Sequence, residues 1–328
     1  MTKTVSVVLP VHNEEKYISR CLDSILAQDF PCDQLEIWVV DGMSDDGTRE
    51  ILRRYAEKYR NIRIIDNPQK ITPVALNTGI TMARGDVIVR IDGHAVYSKE
   101  YIKKCVEFLK KTDADNVGGV VEHRGIGLMG LAIAFAQSCR FGLGGAKFRT
   151  AKKEQFVDTV FPGAWYRRSF EKYGLFNEAL VRNQDIEHNA RIRKNGGKIF
   201  LSPKIKSYYY CRSNLKDLWC QNFRNGLWNI KTCKIAPGSL SLRHFIPLFF
   251  VLALLTTWLI PWLWFCIVGS YLLGSLFYSI KIALVHGPKY FFIMPIVFLT
   301  LHLSYGIGLL TGLLFIPQSN KKCPLTAN

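Results

Sequence analysis

Asp92-Gly93-His94 sets a carboxylate and an imidazole two positions apart where the strand-like run Asp86 to Ile91 ends. On a strand, side chains at i and i+2 leave on the same face, so both groups are expected to reach one divalent cation. A cation held by so few protein ligands keeps positions open for the oxygens of a diphosphate. Imidazole prefers softer metals than Mg2+, which favours Mn2+ of the two. Taken alone, the triplet also fits a buried strand that ends in an aspartate at a turn. Asp41 and Asp185 carry the same ambiguity. Asp41 precedes Gly42 and reads as a turn residue or a ligand. Asp185 precedes Ile186, Ala190 and Ile192 and reads as a helix N-cap or a general base.

The surrounding elements narrow the choice. Val5 to Leu9 is a largely apolar strand, and Asn13-Glu14-Glu15 is expected to open a helix with Ile18, Cys21, Leu22, Ile25 and Leu26 on one face. Leu35 to Val40 is a second strand, Thr48 to Tyr59 a helix, Ile62 to Ile65 a third strand, Pro73 to Met82 a helix, and Asp86 to Ile91 a fourth strand. Alternation of this kind predicts a mostly parallel sheet in an α/β fold, with helices on both faces. Such sheets bind ligands at the carboxyl ends of their strands. Pro10 to Glu14, Asp41 and Asp92 all fall there.

The chain divides by composition. From His244 to Phe315 there is no Asp or Glu and only two Lys, Lys281 and Lys289; Phe245 to Ile280 carries no charge at all. That stretch exceeds the roughly 20 residues of one membrane span and suits two. Phe291 to Phe315 reads as a third, with Gly306, Gly308 and Gly312 available for close helix packing. The expected domains are a catalytic part over residues 1–235 and a membrane part over 236–328, with spans near 245–260, 262–280 and 291–315. No signal-peptide pattern precedes the first strand. The catalytic part is therefore expected in the cytosol of a multi-pass protein of the cell membrane. The loop bearing Lys281 and Lys289 would then also be cytosolic, and Lys321 and Lys322 leave the side of the C-terminus open.

Of the 328 residues, 43 are Lys or Arg against 26 Asp or Glu, a formal charge of +17, and all but four of the bases precede His244. A basic part beside a membrane favours anionic headgroups or phosphorylated substrates. The bases are scattered, with no basic arm, zinc motif or aromatic RNA-binding signature, so nucleic acid is not expected as a partner. Nine Cys without a CxxC spacing fit a reducing compartment, with Cys211, Cys220 and Cys233 as free thiols. Gly125 to Gly145 is Gly-rich and apolar but interrupted by Gln137 and Arg140. It reads equally as a membrane-facing helix, an acceptor lid or a core helix.

Several motifs in order resemble the family 2 glycosyltransferases with the GT-A fold. They are Val7-Val8-Leu9-Pro10-Val11-His12-Asn13-Glu14-Glu15, Val39-Val40-Asp41-Gly42-Met43-Ser44-Asp45-Asp46-Gly47-Thr48, and Asn77-Thr78-Gly79-Ile80 followed by Ala83-Arg84-Gly85-Asp86. Asp92-Gly93-His94 stands where that family has its DxD metal motif, in a variant similar to the succinoglycan-type exopolysaccharide branch. Phe161-Pro162-Gly163-Ala164 and Arg182-Asn183-Gln184-Asp185-Ile186-Glu187 match the acceptor half, and the resemblance covers residues 4 to 235.

The resemblance implies roles. Pro10, Val11, Asn13 and Glu14 would lie against the nucleotide base and ribose, and Asp41 would hydrogen-bond one of them. Asp92 would ligate the metal; His94 would ligate it or hydrogen-bond the diphosphate. Asp185 would be the general base, although Gln184 replaces the first acid of the family's usual Glu-Asp pair. Gln221-Asn222-Phe223-Arg224 partly resembles the Gln-x-x-Arg-Trp element of processive synthases. Asn225 stands in place of the Trp, so processive polymerisation is not implied.

The expectation is a membrane-anchored, inverting, Mn2+- or Mg2+-dependent transferase. It would move a sugar from a nucleoside diphosphate sugar, expected to be a UDP-sugar, to a lipid-linked saccharide acceptor in surface or exopolysaccharide biosynthesis. Two rival readings stay open: transfer to polyprenyl phosphate itself, and a catalytically silent membrane scaffold.

Overall fold

The computed structural model describes residues 4–144 and 151–315. Gly145, Lys321, Lys322 and the C-terminus, on which the sequence carries expectations, lie outside these residues. The first strands are β1 (Val5–Val11), β2 (Leu35–Asp41), β3 (Ile62–Asp66) and β4 (Val87–Arg90). They pair in parallel in the order β3-β2-β1-β4, as the alternation predicts. Their apolar residues alternate between two cores. Val5, Val7, Leu9 and Val11 pack with α1 (Ile18–Leu26), α2 (Thr48–Lys58) and α4 (Tyr101–Thr112) on one face. Val8 and Ile88 pack with Leu76 and Ile80 of α3 (Thr72–Met82) on the other. Gly79 permits that close approach, because a Cβ there would meet Val8 Cγ1 at 2.5 Å. Its place in the Asn77-Thr78-Gly79 motif is thus one of packing.

β1 runs two residues past the expected Leu9. Ile91 N–H donates to the Val8 carbonyl at 3.0 Å, so Pro10, two residues on, faces the side where β4 has already ended. Its missing N–H therefore costs no ladder bond. The helix expected to open at Asn13 begins only at Ile18. Asn13 adopts a left-handed backbone (φ 55°) and spends its amide on Asp45 instead, giving Nδ2 to Oδ1 at 2.8 Å and accepting the Asp45 N–H at 3.0 Å.

Beyond Asp92 the sheet becomes mixed. β8 (Gly163–Tyr166) lies antiparallel to β4 and to β6 (Asn116–Arg124); the long β9 (Ile199–Tyr210) runs parallel to β6; β5 (Ala95–Tyr97) and β7 (Gln155–Phe156) lie antiparallel to β9. α7 (Arg167–Tyr173) and α8 (Gln184–Lys194) cover the α3 face. Asp92-Gly93-His94 thus lies in the turn by which the chain leaves β4 at the sheet centre for β5 beside β9. The strand alternation used to align Asp92 with His94 does not apply there; the turn sets their relative direction.

The C-terminal third is helical: α9 (Leu215–Ile235), α10 (Ile246–Thr257), α11 (Pro261–His286) and α12 (Lys289–Phe315). α11 and α12 are long and apolar enough to cross a membrane. α10, where the first of three spans was expected, has 12 residues and reaches only about 18 Å at 1.5 Å per residue, against a hydrocarbon core of about 30 Å. The two long helices have different surroundings: 44% of the apolar window of α12 is buried, against 11% for α11. α12 is seated on α9 by glycine contacts, where a Cβ at Gly308 would meet the Phe223 carbonyl oxygen at 2.1 Å. Nearer its start it packs against α5 (Gly127–Ser138), joining Ala132, Ile133 and Ala136 to Met294, Phe298 and Leu301. The Gly-rich stretch thus forms α5 and, after Cys139, the short α6 (Arg140–Leu143), both packed against the later helices. α11 leaves Trp262, Phe265, Leu273 and Leu284 exposed.

Candidate functional site

The carboxyl ends of β1 and β2 are bound into one cradle. Gly42 N–H donates to the Val11 carbonyl at 2.7 Å, Asn13 N–H to Ser44 Oγ at 2.9 Å and Glu14 N–H to Thr48 Oγ1 at 2.8 Å. Asp41 holds this loop from beneath. It is fully buried, accepts the Ser44 hydroxyl at 2.6 Å, and has Arg49 Nε at 3.4 Å from its other oxygen. Val11 is buried while Asn13 and Glu14 reach the surface, so the cradle has a fixed floor and a polar rim.

Asp92 stands beside this cradle. Its backbone N–H donates to the Tyr97 hydroxyl at 2.9 Å, and its Oδ1 accepts Arg90 Nε at 3.0 Å. Arg90 is nearly fully buried, lies over the Phe161 ring at 4.9 Å and leaves Nη1 without a hydrogen-bond partner. His94 Nδ1 lies 2.8 Å from Glu14 Oε1, and its ring meets Tyr209 edge-on. Burial pulls the His94 imidazole down, but the hydrogen bond and charge of Glu14, with the charge of Asp92, raise it above its ordinary value. Glu14 is thus the residue that orients His94.

This donor set suits a divalent cation that takes its other ligands from substrate and water. Arg90 engages Oδ1 of Asp92 and leaves Oδ2; Glu14 engages Nδ1 of His94 and leaves Nε2. A carboxylate on the second imidazole nitrogen is the usual support of a metal-bound histidine. Among the described residues no cluster of three or more His, Cys, Asp or Glu could hold a metal. A cation here would therefore depend on the oxygens of a bound diphosphate.

Asp185 comes from a different part of the chain. It occupies the first turn of α8, whose preceding residue, Asn183, is left-handed (φ 63°). Asp185 is only partly exposed, and burial raises its carboxyl above the ordinary aspartate value. The Arg90 charge and the backbone N–H groups of Asp185 and Ile186 oppose that rise, while Asp92 adds to it. Arg90 accordingly sits in the field of both acids, its own pKa raised by them against the pull of burial. The neighbouring loops are fixed by amides. Asn77 gives Nδ2 to the Phe176 carbonyl and accepts the Phe176 N–H, both at 2.9 Å; Asn189 gives Nδ2 to Thr159 Oγ1 at 2.8 Å. Arg182 borders the site with its Nη1 on Asn225 Oδ1 at 2.7 Å. Burial, then the charges of Arg224 and Arg212, lowers its pKa. The three arginines therefore share one basic edge.

The structure brings Asp92, His94, Glu14 and Asp185 to one end of the sheet, with Pro10, Val11, Asn13 and Asp41 forming the adjoining cradle. Sequence reasoning missed Arg90. Its signal was a charge inside the central strand, two residues before Asp92. It also missed Asn183, whose side chain leaves the helix it precedes, and no local pattern marks that.

The family model described as Glycosyl transferase family 2 matches residues 6–174. The chain is 29% identical over 319 residues to the succinoglycan biosynthesis protein ExoA of Rhizobium meliloti, covering 94% of each. It is 27% identical over 321 residues to the dolichyl N-acetyl-alpha-D-glucosaminyl phosphate 3-beta-D-2,3-diacetamido-2,3-dideoxy-beta-D-glucuronosyltransferase of Methanococcus voltae, covering 94% of this chain and 97% of that protein. In structure it is similar to the mannosyltransferase PcManGT of Pyrobaculum calidifontis in complex with GDP-Man and Mn2+. That likeness has a TM-score of 0.59 at 20% identity, over 93% of this chain and 87% of the other. TarS of Staphylococcus aureus in complex with UDP-GlcNAc is also similar, with a TM-score of 0.53 at 16% identity over 94% and 91%.

Proposed function

The chain belongs to glycosyl transferase family 2, and from that membership we propose that it transfers a sugar, with inversion, from a UDP-sugar to a lipid-linked saccharide at a membrane surface. The observation that carries the reading is the meeting of Asp92, Arg90 and Asp185 in one field at the carboxyl ends of the parallel strands. The cradle from Pro10 to Glu14 receives the base and ribose, with Asp41 holding it from below. Asp92 and His94 would hold a divalent cation, Mn2+ ahead of Mg2+. When bound, that cation neutralises charge on the leaving diphosphate. Arg90 fixes the Asp92 carboxylate in place beside the substrate.

Asp185 accepts the proton of the acceptor hydroxyl as its oxygen attacks the anomeric carbon. The bond from that carbon to the diphosphate oxygen breaks, and the nucleoside diphosphate leaves with the bonding electrons. A single base on the face opposite the leaving group inverts the configuration. Its raised pKa suits this work, because a base gains strength as its pKa approaches the working pH.

Membrane association rests on α11 and α12. The exposed apolar face of α11 is larger than water tolerates on a lone protein, and lipid is the environment it fits. We place the catalytic part over residues 1–235 at the cytosolic face. The lipid-linked acceptor is supported by the name of the Methanococcus voltae relative, a transferase to a dolichyl N-acetyl-alpha-D-glucosaminyl phosphate, and the polysaccharide role by that of the succinoglycan biosynthesis protein.

The test is a thermal-shift screen of the purified chain in detergent against UDP- and GDP-sugars, with and without Mn2+. A UDP-sugar is expected to stabilise the wild type only with metal, and Asp92→Ala is expected to lose that metal-dependent part while still folding. Mn2+-dependent stabilisation that survives in Asp92→Ala would remove Asp92 from the site.

A further inference from the structure

Asn183 is the residue before α8 and would ordinarily cap it by accepting an N–H of the first turn. Its side chain makes no such bond. Instead Nδ2 donates to Asn229 Oδ1 at 2.7 Å and to Thr232 Oγ1 at 3.1 Å, both on α9. Asn229 passes the link on, its own Nδ2 donating to the Tyr305 hydroxyl on α12. Asn229 and Thr232 are buried, so these bonds are not shared with bulk water. The left-handed backbone at Asn183 is one that asparagine tolerates better than most residues, and it turns the side chain away from its own helix. Arg182, the next residue back, is tied to Asn225 of the same helix α9. α9 is in turn seated on α12 where Gly226 and Gly308 let the two backbones approach.

From this arrangement we propose that Asn183 is a positioning residue. Through Asn229 it references the start of α8, and with it the Asp185 carboxylate, to Tyr305 of the apolar helix α12. The proposal rests on the reading of Asp185 as the base. A backbone feature kept against its usual use, and held in place by surrounding contacts, marks a functional constraint. The physical consequence is geometric. Asp185 is the second residue of α8, so a small rotation of the helix start moves its carboxylate relative to the acceptor hydroxyl. It leaves Asp92, Glu14 and the β1–β2 cradle where they are, because their hydrogen bonds come from β1, β2, β4, β5 and the loops that join them; His94 reaches α9 through Tyr209 and Gln221, a contact separate from the Asn183 link. Removing the link should therefore reduce turnover and spare donor binding. A displacement of about 1 Å in a reacting group can cost about 100-fold in rate. A loosened rather than displaced Asp185 is expected to cost on the order of tenfold.

The experiment uses the full chain reconstituted in lipid, with turnover normalised to the UDP-binding capacity of each preparation. The variants are Asn183→Gly, which keeps the left-handed backbone without a side chain, Tyr305→Phe, which removes one hydroxyl at the far end of the link, and the pair together. Each single variant is expected to lower kcat about tenfold with donor affinity unchanged, and the double variant is expected to be no worse than Asn183→Gly alone, as for two members of one chain of contacts. Wild-type kcat in Tyr305→Phe, additive losses in the double variant, or a fall confined to donor affinity would each overturn the proposal. If Asn183→Gly does not fold, Tyr305→Phe decides by itself. Asp185→Asn is measured alongside: normal turnover there would reject the base assignment, whereas an inactive Asp185→Asn beside a fully active Tyr305→Phe would reject the link alone.

Discussion

Asp92 and Asp185 act on the same buried arginine, yet they are held by contacts of different reach. Asp92, His94, Glu14 and Asp41 lie within the first 94 residues. Their hydrogen-bond partners include Arg90, Tyr97, Ser44 and Thr48, from the same run of strands and the loops that follow them, and the His94 ring adds an edge contact with Tyr209 of β9. Asp185 depends on segments brought from far along the chain. Asn77 pins the loop at Phe176, Asn116 meets Asn189, and Asn183 reaches Asn229 and, beyond it, Tyr305. The cradle proposed for the nucleotide is built by neighbouring parallel strands, whereas the side proposed for the acceptor also draws on contacts from the helical third. The two halves should therefore respond differently to substitution.

The sharpest separation is expected from Asp185→Asn, which keeps the size of the side chain but cannot take up the proton. Transfer should fall by about 10²–10⁴-fold, the range for loss of a general base. The loss should appear in turnover at saturating donor, since the interaction is made in the transition state. UDP affinity should hold, and the wild-type product should be β-linked from an α-linked donor. Turnover near that of the wild type would merge the two halves again, and a retained α-linkage would end the inverting scheme.

A second contrast uses two glycines of similar helices. Gly308→Ala drives a Cβ into the Phe223 backbone and should separate α12 from α9. Overpacking of this kind costs about 1–3 kcal/mol, and acceptor-side turnover should fall while Mn2+-dependent UDP binding persists. Gly269→Ala, on α11 with no atom within 4 Å of the added methyl, should leave both stability and turnover unchanged. Thermal unfolding and turnover of the two variants, compared side by side, check the pair. Equal effects would show that α12 does not anchor the acceptor half.

The smallest effect concerns pH. His188, on α8 three residues beyond Asp185, is fully buried among Phe170, Phe176 and Trp165, with Nε2 on the Gly174 carbonyl at 3.0 Å. Burial, then the Arg191 charge, lowers its pKa to about 3, only partly offset by that carbonyl. The unfolded imidazole binds a proton near pH 6.5, so below that value the unfolded chain holds the extra proton. Stability from this group is full above about 6.5 and falls as the pH drops from there toward about 3. The slope is at most about 1.4 kcal/mol per pH unit. His188→Phe should flatten the loss of melting temperature between pH 7 and pH 5, whereas an unchanged acid slope would place the titrating group elsewhere.

Much of the donor half was legible because its determinants are local. Apolar runs of four to six residues, alternating with helix-period segments, specify parallel strands whose carboxyl ends must meet, and Asp41 and Asp92 were placed at that meeting from this pattern. The misreadings there came from side chains whose use depends on a neighbouring loop. Asn13 looked like a helix cap, but the loop after β2 offers Asp45 to its amide, and that pairing holds its backbone left-handed. Asp92 and His94 looked like adjacent same-face residues of a strand, but the chain is already turning toward β5.

The motif around Asp185 pointed to that acid, and no local pattern could say what holds it. Its controlling contacts join residues 46 and 76 positions apart, Asn183 to Asn229 and Asn229 to Tyr305. The same limit applies to the apolar tail. Composition alone determined that residues 245–315 would seek an apolar environment, because a stretch with so little charge has little else to offer water. Which of its two long helices would turn an apolar face outward and which would become the seat of the catalytic part was decided by tertiary packing. Gly306, Gly308 and Gly312 let the backbones of α9 and α10 approach α12, whereas Gly269 of α11 meets nothing. A glycine in a sequence reveals only that close approach is permitted; whether another backbone comes to use it is settled by the fold.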